Sequence, residues 1–291
     1  TVGHLRSAAH RSRGADQRTG RPAAAPATQV TAAGGLIDCH AHLTYPDFAG
    51  RIYEVLVRCT EAGVEGVITI GTSLDDARGA IELARRHVGR IHAAVGFHPH
   101  EADSVSDDDL VAMATLWREA DVVALGEMGL DYHYDFSDRA NQRRVFEGQL
   151  AAARQHNKPI IIHCREAFAD CAPILADHGF VGRRVVFHCF TGSVEEAAAI
   201  AERGWRLSFT GIVTFPKSTE LHAIARVYPA DKLMVETDSP YLSPVPVRGK
   251  KPNEPAYVAH IVKFLAELRG IPYDELVVQT RANTRAFFGL P

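Results

Sequence analysis

From Leu36 onward, short apolar runs alternate with longer stretches in which apolar positions recur every three or four residues. The short runs have the length of buried strands, and the longer stretches have the period of a helix with one inward face. Eight runs qualify as strands: "LIDCHAHL" from 36, "VEGVITIG" from 64, "IHAAVGFHP" from 91, "VVALGEMGLD" from 122, "PIIIHCR" from 159, "RVVFHCFT" from 184, "WRLSFTG" from 205 and "KLMVETDSP" from 232. Helical patterns lie between them. One is "SLDDARGAIELARRH", where Ser73 and Asp76 have capping-box spacing; two more, "EPAYVAHIVKFLAELRG" and "YDELVVQTRANTRAFFG", follow the last strand. Eight repeats of strand then helix over about 250 residues predict an α/β fold, a (β/α)8 TIM barrel. An open doubly wound sheet shares the alternation, but no GxGxxG follows the first strand.

Residues 1–35 break the pattern. They are rich in Ala, Arg, Gly and Thr and nearly lack large apolar side chains, which predicts a disordered N-terminal extension ahead of one folded domain at 36–291. The Arg-rich, acid-poor composition also resembles an organellar transit peptide, although no amphipathic apolar face accompanies it. Charge divides along the same boundary. The chain carries −3 overall and the first 35 residues carry +4 (five Arg, one Asp), so the other 256 carry −7. That balance argues against a protein gripping long stretches of DNA through basic surface, yet suits an enzyme touching a few phosphates. No run approaches the roughly 20 apolar residues of a membrane span. The five cysteines, at 39, 59, 164, 171 and 189, show no CxxC spacing. A monomer in the reducing cytoplasm, without membrane contact, is the expectation.

Active-site groups of such barrels project from the carboxyl ends of the strands. Strand one ends His40-x-His42, and the two-residue period of a strand turns both imidazoles the same way while Cys39 and Ala41 face the helices. A His-x-His pair alone is weak, because this chain holds 15 histidines and repeats the pattern at His98 and His100. Convergence carries more weight. Strand four ends at Glu127, five at His163, six at His188 and eight at Asp238, bringing four His, one Glu and one Asp to one rim. Six such groups crowded together are tolerable only around cations, and imidazole with carboxylate suits Zn2+, Mn2+ or Mg2+. Glu127 is placed to bridge two ions. Asp238 is placed to take or orient the proton of a water attacking a phosphodiester. Cys164 and Cys189, each following a ligand His, are expected in the core between strands and helices.

The stretches "IDCHAHL", "GFHPHEA", "GEMGLDYHYD", "IIHCREA", "VFHCFTGS", "VETDSPYLSP" and "NEPAYV" resemble, in order, the signatures of the TatD family of metal-dependent deoxyribonucleases. The resemblance runs from Leu36 to about Gly289. It implies a metallo-dependent hydrolase barrel acting as a 3′ to 5′ exonuclease on DNA, usually with Mg2+, and places metal on His40, His42, Glu127, His163, His188 and Asp238. A DNA strand or its 3′ end is then the partner, with repair or turnover of DNA as the setting. The family's Arg-Gly-basic run adds Arg248 and Asn253 as candidate substrate contacts; by position after strands three and five, His98, His100 and Arg165 are candidates too, unless the histidines only pack and Arg165 pairs with Glu166 or Asp131. "RGKKPNEP" resembles the family's Arg-Gly-basic-basic-Asn-Glu-Pro with Pro252 as an added residue. Tyr132, Tyr134, Phe136 and Phe215 stand near the same loops, where rings can either stack on bases or cover the barrel rim. The same architecture also serves hydrolases of small amides, esters and phosphoesters, many of which bridge their metals with a carboxylated lysine where this chain has Glu127.

Overall fold

The computed structural model describes residues 35–291; the expected disorder of the N-terminal extension lies outside them, apart from Gly35. Eight strands form one parallel sheet in chain order: β1 (Leu36–Ala41), β2 (Val64–Gly71), β3 (Ile91–Val95), β4 (Val122–Asp131), β5 (Ile160–Arg165), β6 (Val185–Phe187), β7 (Arg206–Phe209) and β8 (Leu233–Val235). The cylinder closes just past β8, where Ser239 bridges Ala41, the His42 N–H donates to the Ser239 carbonyl at 2.8 Å, and the Asp238 N–H donates to the His40 carbonyl at 3.0 Å. The (β/α)8 barrel read from the repeat pattern is the fold observed.

The helices are α1 (Ile52–Glu61), α2 (Leu74–Arg86), α3 (Asp107–Leu116), α4 (Arg139–Ala153), α5 (Phe168–Asp177), α6 (Val194–Glu202), α7 (Thr219–Val227), α8 (Val258–Arg269) and α9 (Tyr273–Phe288). Ser73 caps α2 by accepting the Asp76 N–H at 3.4 Å, but the Asp76 carboxylate turns to Thr72, so only half of the expected box forms. Two layers of core result. The larger lies between strands and helices; the smaller fills the cylinder with Cys39, Ile68, Ile70, Ala94, Ala124, Ile161, Val186 and Met234, and α9 adds Phe287 and Phe288.

Two register slips re-aim side chains at the rim. Asp38 pairs with Val67 and Ala41 with Thr69, so three residues of β1 advance against two of β2; likewise Leu125 pairs with Ile160 and Met128 with Ile162 between β4 and β5. Each slip inserts one extra residue, which breaks strict alternation. Cys39 therefore packs inside the cylinder, contrary to the expectation from a two-residue period. The second slip falls at Gly126 and Glu127. A Cβ on Gly126, whose φ is +122°, would stand 2.5 Å from the Ile161 carbonyl oxygen, so only glycine lets β4 press this close to β5 behind Glu127.

Candidate metal centre

The six expected ligands meet at the carboxyl rim. The Glu127 carboxylate is buried between them and faces a different histidine pair with each oxygen. Its Oε2 lies 3.4 Å from His40 Nε2 and 3.9 Å from His42 Nε2; its Oε1 lies 2.7 Å from His163 Nδ1 and 2.5 Å from His188 Nε2. Asp238 completes the first group, with Oδ1 3.4 Å from His42 Nε2 and 3.8 Å from His40 Nε2. His98 joins the second, with Nε2 3.3 Å from His163 Nδ1 and 3.4 Å from Glu127 Oε1.

The elements deliver these groups unevenly. Only His40, Glu127 and His163 stand within strands; His42 and His188 follow the last strand residue, and Asp238 lies three residues beyond Val235. Expected strands six and eight are thus shorter than their apolar runs. Positive φ at Cys189 (46°) and Asp238 (53°) turns the chain off the ladder at those points.

The donor chemistry fits divalent ions. His40 and His42 bring their Nε2 atoms within 3.3 Å of each other, and the buried Nδ1 atoms of both rings have no hydrogen-bond partner. Nitrogen and oxygen atoms about 2.1 Å from one ion stand roughly 3.0–3.4 Å from each other. That spacing is close to the one seen around His40, His42 and Asp238. The charges respond to the crowding. Burial alone would raise the Glu127 carboxyl, but the imidazoles of His188, His98 and His163 outweigh it and hold it well below the usual carboxylate range. Asp238 is lowered against its burial by His42 and His40. Burial and the neighbouring His188 lower His40, whereas Glu127 raises His188 well above the ordinary imidazole value in spite of burial.

Asp131 holds the outer side of the cluster. Its Oδ2 accepts from His163 Nε2 at 2.9 Å and His100 Nε2 at 3.0 Å, while Oδ1 accepts the N–H groups of His133 and Tyr134. A proton fixed on His163 Nε2 would leave Nδ1 free to face an ion held beside Glu127. His98 accepts the His100 N–H at Nδ1, and burial brings its imidazole down to about 4.

Four buried acids and amides, Asp38, Glu236, Gln142 and Gln149, carry no signal of their own in the sequence. Asp38 accepts from the Thr237 N–H and hydroxyl, stitching β1 to the chain after β8 and so setting His40 beside Asp238. Glu236 accepts from Ser208 Oγ at 2.6 Å and from the Cys189 N–H at 2.5 Å, and lies 3.5 Å from His188 Nδ1. Both stand two residues before a donor of the cluster, Asp38 before His40 and Glu236 before Asp238. On α4, Gln149 takes both backbone groups of Phe97, and Gln142 takes both of Asp131.

Of the candidate substrate contacts, His98 and His100 stand inside the cluster. The exposed Arg165 lies with its guanidinium 4.7 Å from the centre of the Tyr134 ring, and Arg248 lies 4.0 Å from that of Phe215. Asn253 lies apart from the rim contacts. It is fully buried, with Nδ2 donating to the Thr237 and Tyr241 carbonyls and Oδ1 accepting the Glu254 N–H, so its amide is spent on the loop. Glu254 in turn grips Arg58 of α1 through both oxygens. Cys189 is corrected: its left-handed backbone takes it out of the strand and helix interface, and its Sγ lies 3.6 Å from Thr210 Oγ1. Cys164 packs against the outer core as expected.

A (β/α)8 barrel with imidazole and carboxylate donors gathered at its carboxyl rim defines a metal-dependent hydrolase. The family described as TatD related DNase matches residues 37–289, and the chain belongs to it. A Bacillus subtilis relative, the uncharacterized metal-dependent hydrolase YabD, is 38% identical over 253 residues, covering 87% of this chain and 98% of the relative. The 3′-5′ ssDNA/RNA exonuclease TatD of Erwinia amylovora is 37% identical over 259 residues, covering 88% and 100%. Among solved structures, YJJV, a TatD homologue from Escherichia coli, superposes with a TM-score of 0.83 at 30% identity over 88% of this chain and 98% of its own. No helix among the described residues is long and apolar enough to cross a membrane.

Proposed function

We propose that this protein is a 3′ to 5′ exonuclease on single-stranded DNA that uses two divalent ions, Mg2+ foremost. The observation that carries the reading is the Glu127 carboxylate, which turns one oxygen to His40 and His42 and the other to His163 and His188. His40, His42 and Asp238 would hold one ion, His163 and His188 the other, with Glu127 common to both. Ions there supply charge neutralisation at the phosphodiester and lower the pKa of water. The chain's own groups do the rest. Asp238, kept ionised by His42 and His40, accepts the proton of the attacking water. His98, near neutral pH an uncharged imidazole whose Nδ1 accepts the His100 N–H, lies beside Glu127 where its Nε2–H can donate a hydrogen bond to a phosphate oxygen. Arg248 and Arg165 at the rim supply positive charge to a chain whose last 256 residues carry −7. The relative from Erwinia, named for single-stranded DNA and RNA, supports the choice of an unpaired strand.

The test is release of nucleotides from 5′-labelled single-stranded DNA, with RNA alongside. The expected ladder shortens from the 3′ end, stops with EDTA and resumes with excess Mg2+ or Mn2+. Hydrolysis of small esters or amides without nucleotide release would instead support the small-molecule reading.

A further inference from the structure

We propose that the stacked rings of Tyr134 and Phe136 form a subsite for an unpaired nucleobase of the strand whose phosphate lies at the metal centre. This rests on the nuclease reading above and adds to it the surface that takes the base.

Large exposed aromatic side chains are the departure that needs explaining. Tyr134 is 48% and Phe136 67% exposed, yet their rings lie 5.3 Å apart and within 18° of parallel. Tyr134 lies between Phe136 and the Arg165 guanidinium, so the stack presents the outer face of Phe136 to a base, and every base offers the same π-face in return. The pair is also continuous with the catalytic rim. His100 meets both rings edge-on, at 4.8 Å from Phe136 and 5.7 Å from Tyr134, and lies 6.0 Å from the His163 ring. One imidazole therefore separates the platform from a metal ligand. Arg165 stands on the same side, over Tyr134, so a cation accompanies the rings as it does in strand-binding grooves.

The loop that carries the rings is held in place before any strand arrives. Asp131 accepts the Tyr134 N–H at 2.9 Å, Ser137 donates to the His100 carbonyl at 2.7 Å, and Arg139 ties Asp135 to the Tyr132 carbonyl. A loop backbone fixed in this way loses little freedom on binding. The surface suits an unpaired base, because a base inside a duplex already has both faces covered by its neighbours. Stacking reads no hydrogen-bond edge, so the subsite should serve all four bases.

The test compares the wild type with the double variant Tyr134→Ala/Phe136→Ala and the conservative Phe136→Trp. Substrates are single-stranded oligonucleotides of each base and one whose last nucleotides lack bases, carrying a tetrahydrofuran spacer instead. The double variant should raise KM on base-bearing strands by about 5- to 150-fold, the range that stacking on one or more rings corresponds to. Phe136→Trp should keep the wild-type KM, and the base-less strand should show no difference between wild type and double variant. Equal KM values on base-bearing strands would overturn the platform alone. An equal loss on the base-less strand would overturn it too, by tracing the effect to the loop's shape. A wild type that releases no nucleotide from any strand would overturn the nuclease reading itself.

Discussion

Glu127 shows why a single residue decides the chemistry here. An isolated buried carboxylate is costly, and four imidazoles converging on one acid would compete for a single pair of oxygens. The arrangement becomes economical when positive ions sit between the nitrogens and the oxygens, as the 3.4 to 3.9 Å separations on the Oε2 side allow. Glu127→Gln removes the shared charge and turns an NH2 group toward one histidine pair. We expect bound metal per chain to fall and kcat/KM to drop at least about a hundredfold, since ions at such centres supply several kcal/mol to the transition state. Elemental analysis and single-turnover rates check both, with circular dichroism to show that the barrel persists. Full metal content with full activity would remove Glu127 from the centre. The convergence of the six donors was legible because strand ends at one rim are where such groups gather. The burial of Asn253 was not: it depends on a loop whose path no local pattern describes, and a polar residue beside a basic run reads as a surface residue. Cys39 and Cys189 were misread where a slipped register and a left-handed turn replaced simple alternation.

At the scale of elements, apolar runs marked every strand but overstated five: "LIDCHAHL" and "IHAAVGFHP" run past Ala41 and Val95, and three more overrun likewise. "RVVFHCFT", "WRLSFTG" and "KLMVETDSP" continue past the last ladder residues, Phe187, Phe209 and Val235, because burial at the rim demands apolar or paired side chains whether or not the backbone remains a strand. The register slips at Asp38–Ala41 and Leu125–Met128 were invisible for the same reason: they depend on which neighbour each strand meets. Helix α4 carries a consequence of its own. Gln142 and Gln149, seven residues and about two turns apart, share a buried face, and each closes two hydrogen bonds on a rim segment. Phe97, held by Gln149, precedes His98. Gln149→Leu fits the space but leaves the Phe97 N–H and carbonyl unpaired, at about 1–3 kcal/mol for each group. The urea midpoint should fall with an unchanged m-value, and kcat should fall more than metal content, because His98 loses its fixed backbone while the ligands keep theirs. An unchanged kcat would show that His98 is positioned from elsewhere.

The whole molecule separates its tasks between the two ends of the cylinder. Reactive groups gather at the carboxyl rim, while the opposite end is closed by α9, whose fully buried Phe287 and nearly buried Phe288 pack with the interior residues of the strands. This follows from the barrel itself, in which loops at one end are free to vary and the other end carries stability. Glu65 at the start of β2 fastens that closure. Its Oε1 accepts from Arg281 Nε at 2.6 Å and Arg285 Nη2 at 2.9 Å, both on α9, and its Oε2 accepts the Gly35 N–H at 2.7 Å. Partial burial would raise the Glu65 carboxyl, yet the bonds from Arg281, Gly35 and Arg285 overcome it and hold it below the ordinary 4.5. A carboxyl lowered by folding adds stability that is present above its unfolded pKa and is lost as pH falls through the folded one. Glu65→Gln should therefore unfold at lower urea than the wild type at about pH 7, and the gap should narrow as the pH is brought below 4.5. Nucleotide release at neutral pH and metal content should stay at wild-type levels, because the substitution lies at the far end from the ligands. A gap that persists unchanged into acid would mean that the side chain's packing, and not its charge, holds α9 against the barrel.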